Sequence, residues 1–439
     1  MFTNLRMVNF KSWKDTGDVR LAPLTVLFGG NSTGKSGLLQ MLLLLKQTTE
    51  ARDRNMVLQT GTGNPQQGYV RLGSPSDITH FDSTDMKLSV AWNWQDGPLR
   101  FLDPKSEGYP SVQSLEFETM IHADSKETFV SSFTYRQGKE EKNKISVSLN
   151  RKDEGGYSFN IRINGRAARR RKGRPNTYMY LGKCYSIPYE ARLNFPGQPY
   201  LFDLEWEFER QFQKLYHLGP LRDFPQRIYP WAGEQPSEVG TRGEWAIQAL
   251  LGWHLQFYTE LWLQKMNLLQ SFDVRPVAEG ETWYRVHVKY DAKSHEVLLP
   301  DVGFGVSQVL PVLVQCLNAP RYSTVILEHP DLHLHPSAQS ALADFLVQTL
   351  KDREIQLIIE SHSEHLLRRI QRRAVEEQLS PKDVALYFCD LKDGISNIEE
   401  LELDLFGQIR NWPDKFFGDM AGDMIATLES SLDRQLADD

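Results

Sequence analysis

Cysteine is scarce in this chain. The 439 residues hold three, Cys184, Cys316 and Cys389, far apart and without metal-type spacing. That excludes a disulfide framework or a cysteine zinc site and suits a reducing compartment. Positive charge is not in excess either: Lys and Arg number 50 against 57 Asp and Glu, a net charge of −7. Such a balance argues against a protein that coats nucleic acid over its whole surface, while leaving room for a local basic groove. Long apolar runs are missing. The run 41–45, MLLLL, is far too short to span a bilayer. The opening Met1-Phe2-Thr3-Asn4-Leu5-Arg6 does not read as a signal peptide. A cytoplasmic protein without membrane contact is the expectation. No internal repeat or low-complexity tract is visible. What is present, 40% hydrophobic and 24% charged residues, is ordinary for a globular protein. The length allows two or three domains, or one large core carrying an insertion.

Against this background one stretch stands out. Leu24-Thr25-Val26-Leu27-Phe28 reads as a short buried strand, Gly29-Gly30-Asn31-Ser32-Thr33-Gly34-Lys35-Ser36 follows, and 37–46 reads as a helix. The pattern G-x-x-x-x-G-K-[ST] is met in full in its strand–loop–helix setting. Such a loop folds tightly enough for consecutive backbone N–H groups to point at phosphate oxygens. The helix start adds unpaired N–H groups and the positive end of its dipole. Lys35 would face the β- and γ-phosphates and Ser36 would ligate Mg²⁺, so ATP and Mg²⁺ are the expected cofactors.

The chain between the P-loop and residue 300 carries less chemistry. Residues 69–73 and 86–92 read as strands. From 101 to 208 the pattern alternates and is rich in aromatic and β-branched residues, which predicts an antiparallel β-region. Within it lie Arg166, Arg169, Arg170, Arg171, Lys172 and Arg174. This cluster reads either as a solvated, disordered hairpin tip or as a loop that contacts phosphates or an acidic partner. Residues 243–269 read as one or two amphipathic helices, with Ala246, Leu250, Trp253, Phe257, Leu261 and Leu268 on the apolar face.

The last third returns to site chemistry. Gly305-Val306-Ser307-Gln308 reads as a Gly-rich turn opening a helix over 309–317. Thr324-Val325-Ile326-Leu327-Glu328 reads as a strand ending in a carboxylate, the second half of a P-loop Mg²⁺ site. His329-Pro330-Asp331-Leu332-His333-Leu334-His335-Pro336 follows, then a helix, a strand over 355–359 and Glu360-Ser361-His362-Ser363-Glu364-His365. Zinc held by three of His329, His333, His335, His362 and His365 is disfavoured, because strand and helix directions scatter these side chains and no cysteine joins them.

The order of these motifs resembles the ABC-class P-loop ATPases, and more narrowly the RecF-like and OLD-like branch of bacterial anti-phage ATPases. There the Mg²⁺ strand ends in a run similar to E-x-P-E-L-H-L-H-P and the switch histidine sits in T-H-S. The resemblance covers roughly 1–100 and 210–439. Leu72-Gly73-Ser74, Leu218-Gly219-Pro220-Leu221-Arg222 and Trp412-Pro413 with Phe416-Phe417 look like a subgroup with a short C-terminal domain of unassigned function. It implies an α/β fold: an ABC-type ATPase head built from both ends of the chain, with an inserted β-rich and helical region. The expected division is 1–100 and 301–439 as head, 101–215 as β-rich insertion and 216–300 as helical connection and return strands. By position, Gly29 to Ser36 bind phosphate, Ser36 and Glu328 hold Mg²⁺, and His362 is the switch histidine. Gly305, Ser307 and Gln308 form the signature that reaches the γ-phosphate of a second head.

This implies a homodimer or higher oligomer with ATP sandwiched between heads. His329 replaces the usual catalytic glutamate, so Glu328, His329 and His362 are the catalytic candidates and slow hydrolysis is expected. Asp331 is the substitute for His329 in orienting water. No Q-loop glutamine is assignable, and no acidic cluster suggests a Toprim-type nuclease. A sensor or motor subunit with a separate effector, a nuclease or toxin, is therefore the expectation. Nucleic acid or a phage protein is a further candidate partner. A RecF-like repair ATPase and an ATP-gated scaffold with little turnover are the alternatives.

Overall fold

The structure is a computed structural model. It describes residues 1–61, 68–81, 83–95, 112–137, 145–152, 156–171, 182–195, 198, 200–413, 416–417, 425–428, 430–431 and 434. Lys172 and Arg174 of the basic cluster lie outside the described residues.

The sheet that carries the P-loop draws strands from distant parts of the chain. The P-loop strand Leu24–Gly29 is buried at every position, as expected for a strand covered on both faces. It lies between Gln356–Glu360 and Val384–Lys392 and runs parallel to both. Thr324–Glu328 pairs parallel with Gln356–Glu360, and Leu215–Leu218 pairs parallel with Thr324–Glu328. Ile395–Leu401 closes the other edge antiparallel. The register sets Glu328 directly beside Glu360. Helices Phe304–Asn318, Pro336–Arg353 and Glu364–Val375 complete this layer around Leu24, Val26, Val309, Leu313, Leu342 and Leu367, all buried.

The second sheet is antiparallel and has nine strands among the described residues. It begins with Phe2–Phe10, passes through Asp85–Asn93 and continues through Ser114–Ala123, Thr128–Gln137, Ile145–Arg151 and Tyr157–Ile163 to Arg166–Ala167. The β-rich insertion expected within 101–208 extends the sheet that the N-terminal strands begin. The P-loop helix Lys35–Glu50 packs between the two sheets, burying Leu38, Leu39 and the residues from Met41 to Leu45 in the same core. A smaller antiparallel sheet pairs Trp283–Lys289 with Ser271–Pro276, Tyr229–Pro230 and Val297–Leu298.

Two element expectations change, and a third, for 243–269, holds as two helices but changes in which residues are buried. Residues 69–73 form no strand, because the Gln47 carboxamide takes the backbone N–H groups of Tyr69 and Val70 at 2.7 and 3.1 Å. The β-pattern stops before 208: Tyr200–Gln213 is a helix whose buried residues Leu201, Leu204, Phe208 and Phe212 follow a helical period, while Phe202 and Trp206 are exposed. The region 243–269 is two short helices, Ala246–Gly252 and Gln256–Lys265, with His254 at φ 55° between them. That turn leaves Trp253 and Phe257 exposed rather than on a buried face.

The first P-loop glycine is fixed by its neighbour in the sheet. Gly29 has φ 137°, and a Cβ there would stand 2.1 Å from the Cys389 carbonyl oxygen. Backbone strain and a backbone clash therefore act together, and Gly29→Ala should destabilise the fold by about 3 kcal/mol or more. Equilibrium urea unfolding measures this; a loss below about 1 kcal/mol, the ordinary scale for point changes, would contradict the close approach.

Candidate nucleotide site

Gly34 caps the P-loop helix in the left-handed region, at φ 96°, and its carbonyl accepts a hydrogen bond from Trp13 Nε1 at 3.1 Å. The Thr33 hydroxyl donates to the Gly30 carbonyl at 2.9 Å, closing the loop on itself. Lys35 is 3% exposed, and its ammonium donates to the carbonyls of Gly29 at 3.1 Å and Gly30 at 2.5 Å. Burial lowers its pKa from the usual lysine range, with the Glu360 carboxylate opposing that effect from 3.9 Å. Among the described residues this buried cation meets carbonyl oxygens and one carboxylate at 3.9 Å, partners that phosphate oxygens could replace.

Across the loop stand two strand ends. The Ser36 hydroxyl donates to Glu360 Oε1 at 3.1 Å. Glu360 is 3% exposed, and its Oε2 has no hydrogen-bond partner among the described residues. Burial first, then the neighbouring Glu328, raises its pKa to about 7. Beside it, Glu328 Oε1 meets His217 Nε2 at 2.7 Å. Two in-register carboxylates, one of them with its buried Oε2 unpartnered among the described residues, and a hydroxyl form a donor set that fits a hard divalent cation such as Mg²⁺. Ser36, Glu328 and Glu360 would hold it. Among the described residues, no group of three or more His, Cys, Asp or Glu side chains is arranged to hold a metal alone.

The loop after Glu328 is clamped from several sides. Arg222, 6% exposed, donates to the carbonyls of Glu328 at 2.9 Å and His329 at 3.2 Å. Burial lowers its pKa to about 10, still charged at neutral pH. His329 N–H donates to the Glu360 carbonyl at 2.8 Å, and its backbone is left-handed at φ 47°, a costly conformation for a non-glycine residue. The His329 ring stacks on His362, with centroids 5.1 Å apart and planes 8° from parallel. Burial lowers both imidazole pKa values, and Lys35 adds to the effect, so both rings are neutral at pH 7. Asp331 is tied down by the Ser361 hydroxyl at 2.7 Å. His335 instead caps the helix Pro336–Arg353 through Ser337, and His333 packs near Phe304.

The structure thus brings Lys35, Ser36, Glu328, His329 and His362 together. Gly305, Ser307 and Gln308 stand elsewhere. Their helix begins at Phe304, five residues earlier than the sequence suggests, so they lie in its first turns. The Ser307 hydroxyl donates to the Phe304 carbonyl at 2.9 Å, and Ser307 and Gln308 are each 6% exposed. Gly305 abuts the His333 carbonyl, where a Cβ would come within 3.1 Å. Glu360, His217 and Arg222 went unrecognised in the sequence. For Glu360 a signal existed: a carboxylate ends an apolar strand just before Ser361-His362-Ser363, as Glu328 ends its own.

The sequence matches the family described as "AAA domain, putative AbiEii toxin, Type IV TA system" over residues 24–368. Residues 379–426 match a second family, "Protein of unknown function (DUF3696)". Nothing matches among the curated proteins. Similar solved structures include an SMC head bound to the C-terminal winged-helix domain of ScpA, at 12% identity and TM-score 0.48, covering 92% of this chain and 98% of that one. An SMC head domain from Thermotoga maritima shares 11% identity at TM-score 0.41, covering 91% and 99%. An SMC head domain with an extended coiled coil, bound to the C-terminal domain of ScpA, derived from Pyrococcus furiosus, shares 11% at TM-score 0.41, covering 92% and 96%.

The buried carboxyl gives a pH-dependent expectation. A glutamate with an ordinary value near 4.5 unfolded and about 7 folded costs stability as pH rises through that window. Below the window the cost vanishes. Above it the apo fold loses on the order of 3 kcal/mol. Glu360→Gln should therefore raise the apo melting temperature at pH 8 and leave it nearly unchanged at pH 4, below the window. Equal shifts at both pH values would show that Glu360 is not held in a site that disfavours its charge.

Proposed function

The chain belongs to that AAA-domain family, and from this premise we propose an ATP-binding, slowly hydrolysing sensor or motor subunit of a bacterial anti-phage defence system. The observation that carries the nucleotide part is the meeting of buried Lys35 and Glu360 with half-buried Ser36 and Glu328. Lys35 and the loop amides bind and orient the triphosphate. Ser36 with the two carboxylates would hold Mg²⁺, which when bound would supply positive charge to offset that of the triphosphate. His329, neutral and held by its stack on His362, orients a water without being a strong base. Turnover near or below about 1 s⁻¹ follows, the low end of enzyme rates. The missing glutamate also favours a second reading of the same site, an ATP-gated scaffold with little turnover.

The partner of this site is a second copy of the chain, in the RecF-like and OLD-like arrangement. Leu221, Phe224 and Phe304 are 74%, 73% and 52% exposed, and Phe224 packs edge-on against Phe304 at 5.5 Å. An apolar patch beside the Ser307 turn supports burial against another head. The defence role draws on the motif order, and the damage itself falls to a separate nuclease or toxin. Among the described residues, no helix is long and apolar enough to cross a membrane.

Ser307→Arg tests the sandwich. It should leave ATP affinity within about twofold, a difference well under 1 kcal/mol, while lowering turnover and ATP-dependent association at least about tenfold. Calorimetry, a phosphate-release assay and light scattering read the three quantities. Normal turnover and association would make the Gly305 turn a plain helix start.

A further inference from the structure

The far part of the antiparallel sheet carries a second, chemically different site. Its strands send alternate residues to opposite faces. One face is apolar and buried, through Phe133, Tyr135, Val147, Leu149, Phe159 and Ile161. The other lines a cavity of about 770 Å³ with Thr134, Arg136, Ser146, Ser148, Asn160 and Arg162. The register orders these groups. Arg136 lies opposite Ser146, and Ser146 opposite Arg162. Two guanidinium positions thus flank a hydroxyl, about 10 Å apart at ordinary strand spacing. Thr134, Ser148 and Asn160 form the next row.

The described part of the arginine-rich segment, 166–171, completes the trough. Asn164 and Gly165 have φ 51° and 78°, as a two-residue hairpin turn requires. The chain returns along the edge: Ala168 N–H donates to the Ile161 carbonyl at 2.9 Å, and Arg171 N–H to the Asn194 carbonyl at 2.8 Å. This sets Arg170 on the cavity wall, with Arg166, Arg169 and Arg171 exposed beside it. Among the described residues, Arg162 and these four arginines make no ion pair. Arg136 has Glu118 at 3.6 Å, a carboxylate that Lys87 holds at 2.7 Å, and faces Glu116 across the strand pair.

Converging guanidinium groups over hydroxyl and amide donors call for an anion rich in acceptor oxygens. The cationic row runs on beyond the cavity through 166–171, longer than one small anion needs. Among the described lining residues the aromatics, Phe159 and Phe195, are buried, so none serves as an exposed anchor of the kind that organises protein interfaces. We propose that this trough binds the phosphate backbone of a nucleic-acid strand without reading its sequence. The site uses none of the nucleotide-site residues.

Fluorescence anisotropy with the full chain and a labelled oligothymidine of about 30 nucleotides tests it. Replacing Arg136, Arg162 and Arg170 together by Ser should weaken binding at least about tenfold and lower the slope of log K against log salt by about 2, at roughly 0.7 for each phosphate no longer neutralised. The triple Lys replacement should retain most of the binding, and Arg170→Ser alone should weaken it measurably without touching a paired strand. Replacing Arg227, Arg275 and Arg321, each paired to a carboxylate, is the charge control and should change little. Unaltered binding in the Ser triple, an equal weakening in the charge control, or displacement by poly-glutamate at lower concentration than by unlabelled strand would overturn the proposal.

Discussion

The P-loop strand cannot form its sheet from its own neighbourhood. Both of its partners, Gln356–Glu360 and Val384–Lys392, come from more than three hundred residues downstream. Until that pairing closes, no strand end faces Lys35 and the loop lacks the Cys389 carbonyl against which Gly29 is fitted. Once closed, the parallel register aligns the C-terminal ends of the strands, and with them Glu328, Glu360 and the loop. Ligand sites of open α/β sheets gather at this edge for the same reason. Closing so long a loop costs entropy only slowly with length, so the intervening strands and helices are tolerated between the two halves.

The site holds electrostatic tension in its apo form. Lys35 and Glu360 are both desolvated, and burial pushes each toward its neutral state. Their separation of 3.9 Å makes a long ion pair that compensates neither fully. A triphosphate with its divalent cation would supply the missing opposite charge to both. Arg222 and the stacked imidazoles hold the loop after Glu328 with His329 in a left-handed backbone conformation.

The sequence pattern made the P-loop, its strand and helix, and the Glu328 strand legible, because glycine spacing and apolar runs are local signals. Glu360 was legible in type but not in role. Only the register of two parallel strands shows that it, rather than Glu328 alone, meets Ser36. His217 and Arg222 act across more than one hundred residues and leave no local trace. The helix Tyr200–Gln213 was hidden by its aromatic content, since Phe and Trp favour strands in isolation while the burial of Leu201, Leu204 and Phe208 follows a helical period. The arginine cluster left two readings open, a solvated hairpin tip or a loop that contacts phosphates or an acidic partner, because a charge run carries no local packing signal; the hydrogen bonds from Ala168 and Arg171 N–H to the Ile161 and Asn194 carbonyls tie its described part to the fold.

The central claim is that Lys35 stands in a nucleotide site completed by strand-end carboxylates. Calorimetric titration of the wild-type chain and Lys35→Ala with ATP, each with and without Mg²⁺, addresses it most directly. Wild type should bind ATP with an affinity that Mg²⁺ strengthens, and Lys35→Ala should bind at least about a hundredfold more weakly, the scale of a buried charge-assisted hydrogen bond to phosphate. Equal affinity in the two proteins would contradict the account, as would no binding by the folded wild type.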